Sequence, residues 1–481
     1  MKQCLLLVSL LLSGCAAVGL NYERPDVGLR ETDVFASAPN VAMPGEQDLR
    51  WWLRFNDPLL TRSVEAALAG NLDIALALER AEQARSVLRA AQARRVPALA
   101  LGSSLGGEYR RGSNRSDAGR DENGLSSSAG LTVDWNADLW GGLRQAERSA
   151  AALLMRSQDL AQAARLATAG LAARGYITWL QSRHELALFQ KALQVRQETV
   201  RLAQVRVDAG LAPLLDLTRA QADLNAVKAE LDGVAGSLRE AALALQVLSG
   251  VAPVAGAPGS AEVRGALPPL PALENPLSAP RPVDLLRLRP DVRAAEHALV
   301  SRFAEIGVAQ AALYPQLTLP GELLWTASGL GTGSIVRALT AGLTALLQAS
   351  VYDGGLRAAE VDAARSLARE AALLYRRTVL EALEQVETAL IGDQVLQSQR
   401  AARQAAVRTS QIALDQANVL YREGLTGFLD ILEAQRTLLA NQLALVRTEA
   451  DAVRASVALF EATGLITSPA ASETKRLAAD G

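Results

Sequence analysis

The chain has 481 residues with 49 basic and 51 acidic side chains, a net charge of −2 that gives no basic stripe of the kind nucleic acid requires. Aromatic residues are only 4% although apolar residues reach 49%, and Ala, Leu, Gln and Arg dominate, a usage of long helices rather than of several compact sheet domains. No stretch approaches about 18 uninterrupted apolar residues, so no transmembrane helix is expected in the mature chain.

The first fifteen residues, MKQCLLLVSLLLSGC, carry one basic residue, Lys2, and a short apolar run from Leu5 to Leu12. That is a secretory signal, too short to span a bilayer. Leu12-Ser13-Gly14-Cys15 resembles a bacterial lipoprotein signal, which implies removal of residues 1–14 and a diacylglycerol and a palmitoyl chain on Cys15; no other cofactor is expected. Ala16 stands where an aspartate would signal inner-membrane retention, which points to the outer membrane. Loss of Cys4 with the signal leaves Cys15 alone, so a disulfide framework is excluded. Residues 15–57 form an amino-terminal segment.

From residue 58 the chain reads as two copies of one unit, 58–250 and 284–464. Gly210 and Gly424, Asp216 and Asp430, Gln221 and Gln435, and Gly250 and Gly464 are each separated by the same 214 residues. WGGLRQAE (140–147) resembles DGGLRAAE (353–360), and Asp73 and Pro97 pair with Asp291 and Pro315. A period this long is a duplicated domain, not a solenoid. Each copy opens with a helix, about 72–96 and 290–313. Two alternating segments follow in each, 98–109 and 130–138, then 316–325 and 340–351, which read as strands of about ten residues joined by Gly- and Ser-rich loops at 110–127 and 326–338. Pro320 sits inside the third strand and argues against that strand assignment. A helix from 141 to 208, or 355 to 422, then leads into a glycine turn, near 209–213 or 423–427, and a shorter helix returns over 214–248 or 428–462. Some 68 helical residues reach roughly 100 Å, a length suited to a coiled coil or tube. Between the copies lies the Pro/Gly-rich linker 251–283; after Gly464 comes a polar tail, 465–481, expected to be disordered.

Strands of this length with one apolar face can cross a membrane. A sheet in lipid must close, and four strands cannot, since the smallest barrels need about eight. Several chains must then share one barrel; the alternative on pattern alone is a soluble α+β protein with two hairpins.

The lipoprotein start, WWLRFNDPLL (51–60), DLWGGLR (138–144), LLRLRPDVRAAEHAL (285–299), IGVAQAALYPQLTL (306–319) and the two glycine turns occur in this order. Together they resemble the TolC-type outer-membrane efflux factors, in the lipoprotein branch typified by OprM and NodT, over residues 15 to 465. The resemblance implies a mostly α fold with a membrane β-barrel: a homotrimer whose twelve-stranded barrel, four strands per chain, joins a long helical periplasmic tunnel. Segments outside the repeats would form an equatorial belt. It also implies an exit duct for small molecules such as drugs, working with a periplasmic membrane-fusion adaptor and an inner-membrane pump of the RND type. The rival readings are the outer-membrane component of type I protein secretion and a lipid-anchored helical scaffold without a pore.

By position, Leu429 and Glu433 match residues that narrow the entrance in OprM-like proteins, and Asp430 and Glu433 match paired carboxylates ringing the TolC entrance. Three copies would make a ring that disfavours anions and attracts cations. Tyr421 and Asp216 fall on positions that hydrogen-bond in the closed state. Thr426 replaces the arginine that braces the neighbouring hairpin, leaving Arg422 as the candidate substitute. Gly210, Gly424 and Gly427 make the turns. No enzyme is expected: His184 and His297 stand alone in helices, no Cys/His cluster has metal spacing, and no GxSxG or Walker-type loop occurs. GLGTGS (329–334) reads as a strand-connecting loop.

Overall fold

A computed structural model describes residues 22–38, 46–111, 121–254, 267–273, 280–330 and 335–465. Cys15, much of the linker 251–283 and the tail beyond Leu465 lie outside the described residues. A 3-10 segment, Glu46–Phe55, leads into α1 (Pro58–Gly70) and α2 (Leu72–Ala93). Strands β1 (Ala98–Arg111), β2 (Asp121–Asp134) and β3 (Asn136–Ala137) precede α3 (Gly142–Asp208) and α4 (Leu214–Leu248). The second half repeats the order. A short α5 (Leu285–Leu288) and α6 (Pro290–Ala311) precede β4 (Gln316–Thr318), β5 (Gly321–Leu330), β6 (Val336–Leu343) and β7 (Leu346–Gln348). Helices α7 (Leu356–Arg422) and α8 (Phe428–Thr463) close it. The residues fall into two compact units, each drawing on both halves of the chain.

The unit built from 80–158 and 294–376 carries the strands. Its main sheet is antiparallel in the order β1-β2-β5-β6, so β1 and β6 are the two edges. Leu101 pairs with Leu131, Leu131 with Leu323, and Leu323 with Ala341. Because side chains alternate across a strand, this register gathers Leu99, Leu101, Leu105, Leu125, Leu131, Val133, Leu323, Trp325, Leu339 and Leu343 on one face. The other face carries Ser104, Ser126, Ser128, Thr132, Glu322, Thr326 and Thr340. The apolar face is bare: Leu101 is 78% and Leu343 80% exposed.

Two expectations about the strands are corrected. β1 and β2 have 14 residues each, not about ten, and the Gly- and Ser-rich stretches expected as loops supply their outer ends. Ser126 there lies on the polar face, while Ser127 pairs with Leu105 on the apolar one. The segments expected as single strands at 130–138, 316–325 and 340–351 are each broken, at Trp135, Leu319-Pro320 and Thr344-Ala345. Proline has no amide hydrogen to donate, so Pro320 interrupts the ladder. The breaks stay bridged by backbone bonds, from Leu319 to the Trp135 carbonyl at 2.7 Å and from Thr344 to the Pro320 carbonyl at 2.9 Å. Below them β3-β4-β7 forms a separate three-stranded sheet.

The helical unit buries several of the chain's aromatics in one place. Trp51, Trp52 and Phe55 pack with Leu60 and Val64 of α1, with Ala169, Ala173, Tyr176 and Leu180 of α3, and with Val453, Val457 and Phe460 of α8. The α3 residues recur at three- and four-residue steps, a helical stripe. Trp51 stacks on Phe460 with 5.3 Å between ring centres. Asp57 caps α1, accepting from the Leu59 and Leu60 amides, and also accepts the Tyr176 hydroxyl at 2.7 Å. Burial, with Asp57 beside it, raises the Tyr176 pKa well above the ordinary phenol value. The repeat also closes its helices twice by one device. The Asn71 side chain donates to the Leu248 carbonyl at 3.0 Å, and Arg289 to the Ala462 carbonyl at 2.6 Å; Leu248 and Ala462 are 214 residues apart. Among the described residues no helix is long and apolar enough to cross a membrane.

Candidate functional site at the paired helix turns

Both glycine turns belong to the helical unit. At the first, Gly210 has φ +69°; its amide bonds the Val207 carbonyl at 2.9 Å, and the Leu211 amide bonds the Arg206 carbonyl at 2.8 Å. At the second, Gly424 has φ +74°, and the same two bonds run from Gly424 to Tyr421 and from Leu425 to Leu420. This left-handed closure of a helix end favours glycine. Gly427 differs from the reading that groups it with them. Its φ is −82°, an extended amino-terminal cap of α8, and its counterpart in the first copy is Pro213. Of these three turn glycines, only Gly210 and Gly424 need glycine.

Asp430 ties the second turn. Its carboxylate accepts the Gly427 amide at 3.1 Å and the Thr426 hydroxyl, a cap favoured by the helix dipole. Asp216 holds the matching place in the first turn of α4 and is half-buried. Leu429 is 52% exposed, and Glu433, one turn on from Leu429, is exposed as well. Arg422 points its Nε at the Asn418 carbonyl of its own helix, 3.2 Å away.

Tyr421 joins the two turns. Its ring lies 4.7 Å beneath the Arg206 guanidinium and 6.0 Å from the Phe428 ring. Burial raises the hydroxyl pKa, Arg206 lowers it, and the nearby Asp216 charge raises it. Around it, Ala203 of α3, Leu217 and Ala220 of α4, and Phe428 and Leu432 of α8 form a small apolar core. Directly behind that core sits a polar cluster the sequence reading missed. Arg196 on α3 pairs with Asp223 on α4, and Arg436 on α8 donates to the same Asp223 at 2.7 Å. Gln435 accepts from Arg196 and donates to Thr199 at 3.4 Å. Arg196, Asp223 and Gln435 are all buried, and burial lowers the Arg196 pKa against the opposing pull of Asp223. The one sequence signal here was Gln435, noted as a repeat position and not as a buried group.

The arrangement brings Leu429, Asp430 and Glu433 to one helix end, beside Tyr421 and Asp216. Among the described residues no group of three or more His, Cys, Asp or Glu side chains is placed to hold a metal ion. His184 contacts the Pro268 carbonyl at 2.9 Å and so pins the linker.

The sequence profile of the family described as Outer membrane efflux protein matches residues 64–251 and 282–465. The chain belongs to this family. It is therefore an outer-membrane channel component of efflux rather than an enzyme. Among relatives of this efflux protein, nodulation protein T of Rhizobium leguminosarum bv. trifolii is 32% identical over 441 residues, covering 91% of this chain and 92% of that one. Outer membrane protein OprJ of Pseudomonas aeruginosa is 29% identical over 464 residues, covering 95% and 94%. The solved outer-membrane channel OprN superposes with a TM-score of 0.81 at 28% identity, over 93% of this chain and 99% of that one. The mostly helical fold with four- and three-stranded sheets is the architecture of these efflux channels.

Proposed function

We propose that the protein is the exit duct of a tripartite efflux system. It assembles as a homotrimer, is anchored in the outer membrane by acyl chains on Cys15, and docks through a periplasmic adaptor onto an RND-type inner-membrane pump. The single observation that carries this reading is the four-stranded sheet with one bare apolar face and two open edges. In lipid each unpaired edge group costs several kcal/mol, and three such sheets give the twelve strands of a closed barrel. Relatives include a cation efflux protein of Escherichia coli and a toluene efflux pump outer membrane protein of Pseudomonas putida. The cargo of this chain is by analogy small toxic molecules, conducted passively.

The entrance lies at the paired turns, with Leu429 as the apolar constriction and Asp430 and Glu433 as a carboxylate ring. Tyr421, Asp216 and Arg422 hold the closed state, and partner contacts shift the population toward the open one. In planar bilayers the purified trimer conducts poorly, and Asp430→Ala with Glu433→Ala raises the conductance and weakens block by multivalent cations. Unchanged conductance together with unchanged block would remove the entrance from this position.

A further inference from the structure

Each hairpin of the chain ends in a turn, and the contacts that cross from one turn to the other must break when the two part. Thr426 gives its hydroxyl to Asp430 on its own turn, and Arg422 gives its Nε to the Asn418 carbonyl of its own helix. The cation that crosses is Arg206 in the last turn of α3, whose guanidinium lies 4.7 Å from the centre of the Tyr421 ring on α7. The Arg206 carbonyl accepts the Leu211 amide at 2.8 Å, so the closure at Gly210 fixes its backbone, and a cation in a last turn suits the helix dipole. Its Nε is buried without a hydrogen-bond acceptor, which leaves the ring face to compensate that side of the charge. The ring is held in turn by Phe428, 6.0 Å away, and by the apolar core of Ala203, Leu217 and Leu432. Asp216 acts on the Tyr421 hydroxyl as a nearby charge. The pair stands outside the duplication: 214 residues from Arg206 and Tyr421 stand Leu420 and Val207, both apolar.

We infer that Arg206 is a positioning residue of the entrance: its cation on the Tyr421 ring latches the first hairpin of each chain to the second and so holds Leu429, Asp430 and Glu433 in the closed arrangement. The tip of α7 and α8 cannot swing away from α3 and α4 without lifting the ring off the guanidinium. A half-buried cation loses its attraction to the ring at that step and regains only water. The π face makes this contact, so phenylalanine at position 421 keeps it and leucine does not. Arg206 thus joins Tyr421 and Asp216 in holding the closed state, and supplies the bridging cation that Thr426 cannot.

This rests on the duct and entrance proposed above, and single-channel recording of the full-length trimer in planar bilayers tests it. Arg206→Gln and Tyr421→Leu are each expected to raise the open probability about tenfold, and Tyr421→Phe to change it by less than about twofold. Arg206→Lys restores most of the closure that glutamine loses. The double variant of Arg206→Gln with Tyr421→Leu opens no more than either single one, as two halves of one contact require. Equal opening by Tyr421→Phe and Tyr421→Leu assigns the latch to the hydroxyl and overturns the inference. Arg206→Gln at the wild-type open probability overturns it as well, as do additive effects of the two single variants. Arg206→Gln and Tyr421→Phe, compared with the wild type, decide the matter alone should leucine prevent folding. If Arg206→Gln has no effect while Asp430→Ala with Glu433→Ala still raises the conductance, the entrance reading stands and the role of Arg206 falls. A wild-type trimer that forms no channel contradicts the duct and this latch together.

Discussion

Asp430 illustrates how one carboxylate serves two purposes that substitutions can separate. It caps α8 through the Gly427 amide, and it contributes charge at the exposed end of the hairpin. Asn retains the capping oxygen without the charge, whereas Ala loses both. Asp430→Ala is therefore expected to destabilise the tip by about 1 kcal/mol, and Asp430→Asn by only a few tenths, while both alter cation block alike. Hydrogen exchange at the Gly427 and Phe428 amides against bilayer recordings checks this; block unaffected by Asn would reduce Asp430 to a cap. Asp223 behaves differently. Asp223→Ala leaves Arg196 buried without its counter-ion, a loss of roughly 3–5 kcal/mol, visible as a lower midpoint in thermal denaturation of the solubilised protein. Asp430 was legible in the sequence, as an acid in a first helical turn after glycine. Arg196 and Asp223 were not, because an Arg or Asp in a charged, alanine-rich helix reads as solvated surface until packing of three distant helices encloses it.

At the scale of elements, the glycines separate into two classes. Gly210 and Gly424 have nothing within 4 Å of an added Cβ, so alanine there incurs only the left-handed conformation, about 1–2 kcal/mol. Gly464 also has φ +78°, but its Cβ would lie 2.7 Å from the Arg289 Cα. Gly464→Ala is expected to cost clearly more than Gly424→Ala, as it must push away the residue that closes α8. Chemical denaturation of the three alanine variants ranks them, and equal effects would contradict the close approach. The six longer helices were legible to within a few residues because apolar spacing and repeated turns mark their ends, whereas α1 and the short α5 were not expected. The strands were less so. Their Ser- and Gly-rich ends look like loops when the polar face of a membrane sheet is not yet in view, and the three aligned breaks depend on pairing between strands distant in sequence.

The molecule as a whole is a duplicated chain whose sheet cannot satisfy its own edges. Duplication was plain from the constant spacing of glycines and acids, and it predicted the order of elements in each half. What the sequence could not reveal is that the two copies are unequal at their tips, since a repeat comparison aligns Gln221 with Gln435 without showing that one is exposed and the other buried. In the trimer the open edges β1 and β6 are closed by other copies of the same chain. The mass of the detergent-solubilised, full-length protein, measured by light scattering with the detergent contribution subtracted, tests it most directly. A mass of three chains of 50.8 kDa less the signal segment is expected, with a compact band on gels that dissociates only on heating; a stable, well-folded monomer would contradict the account.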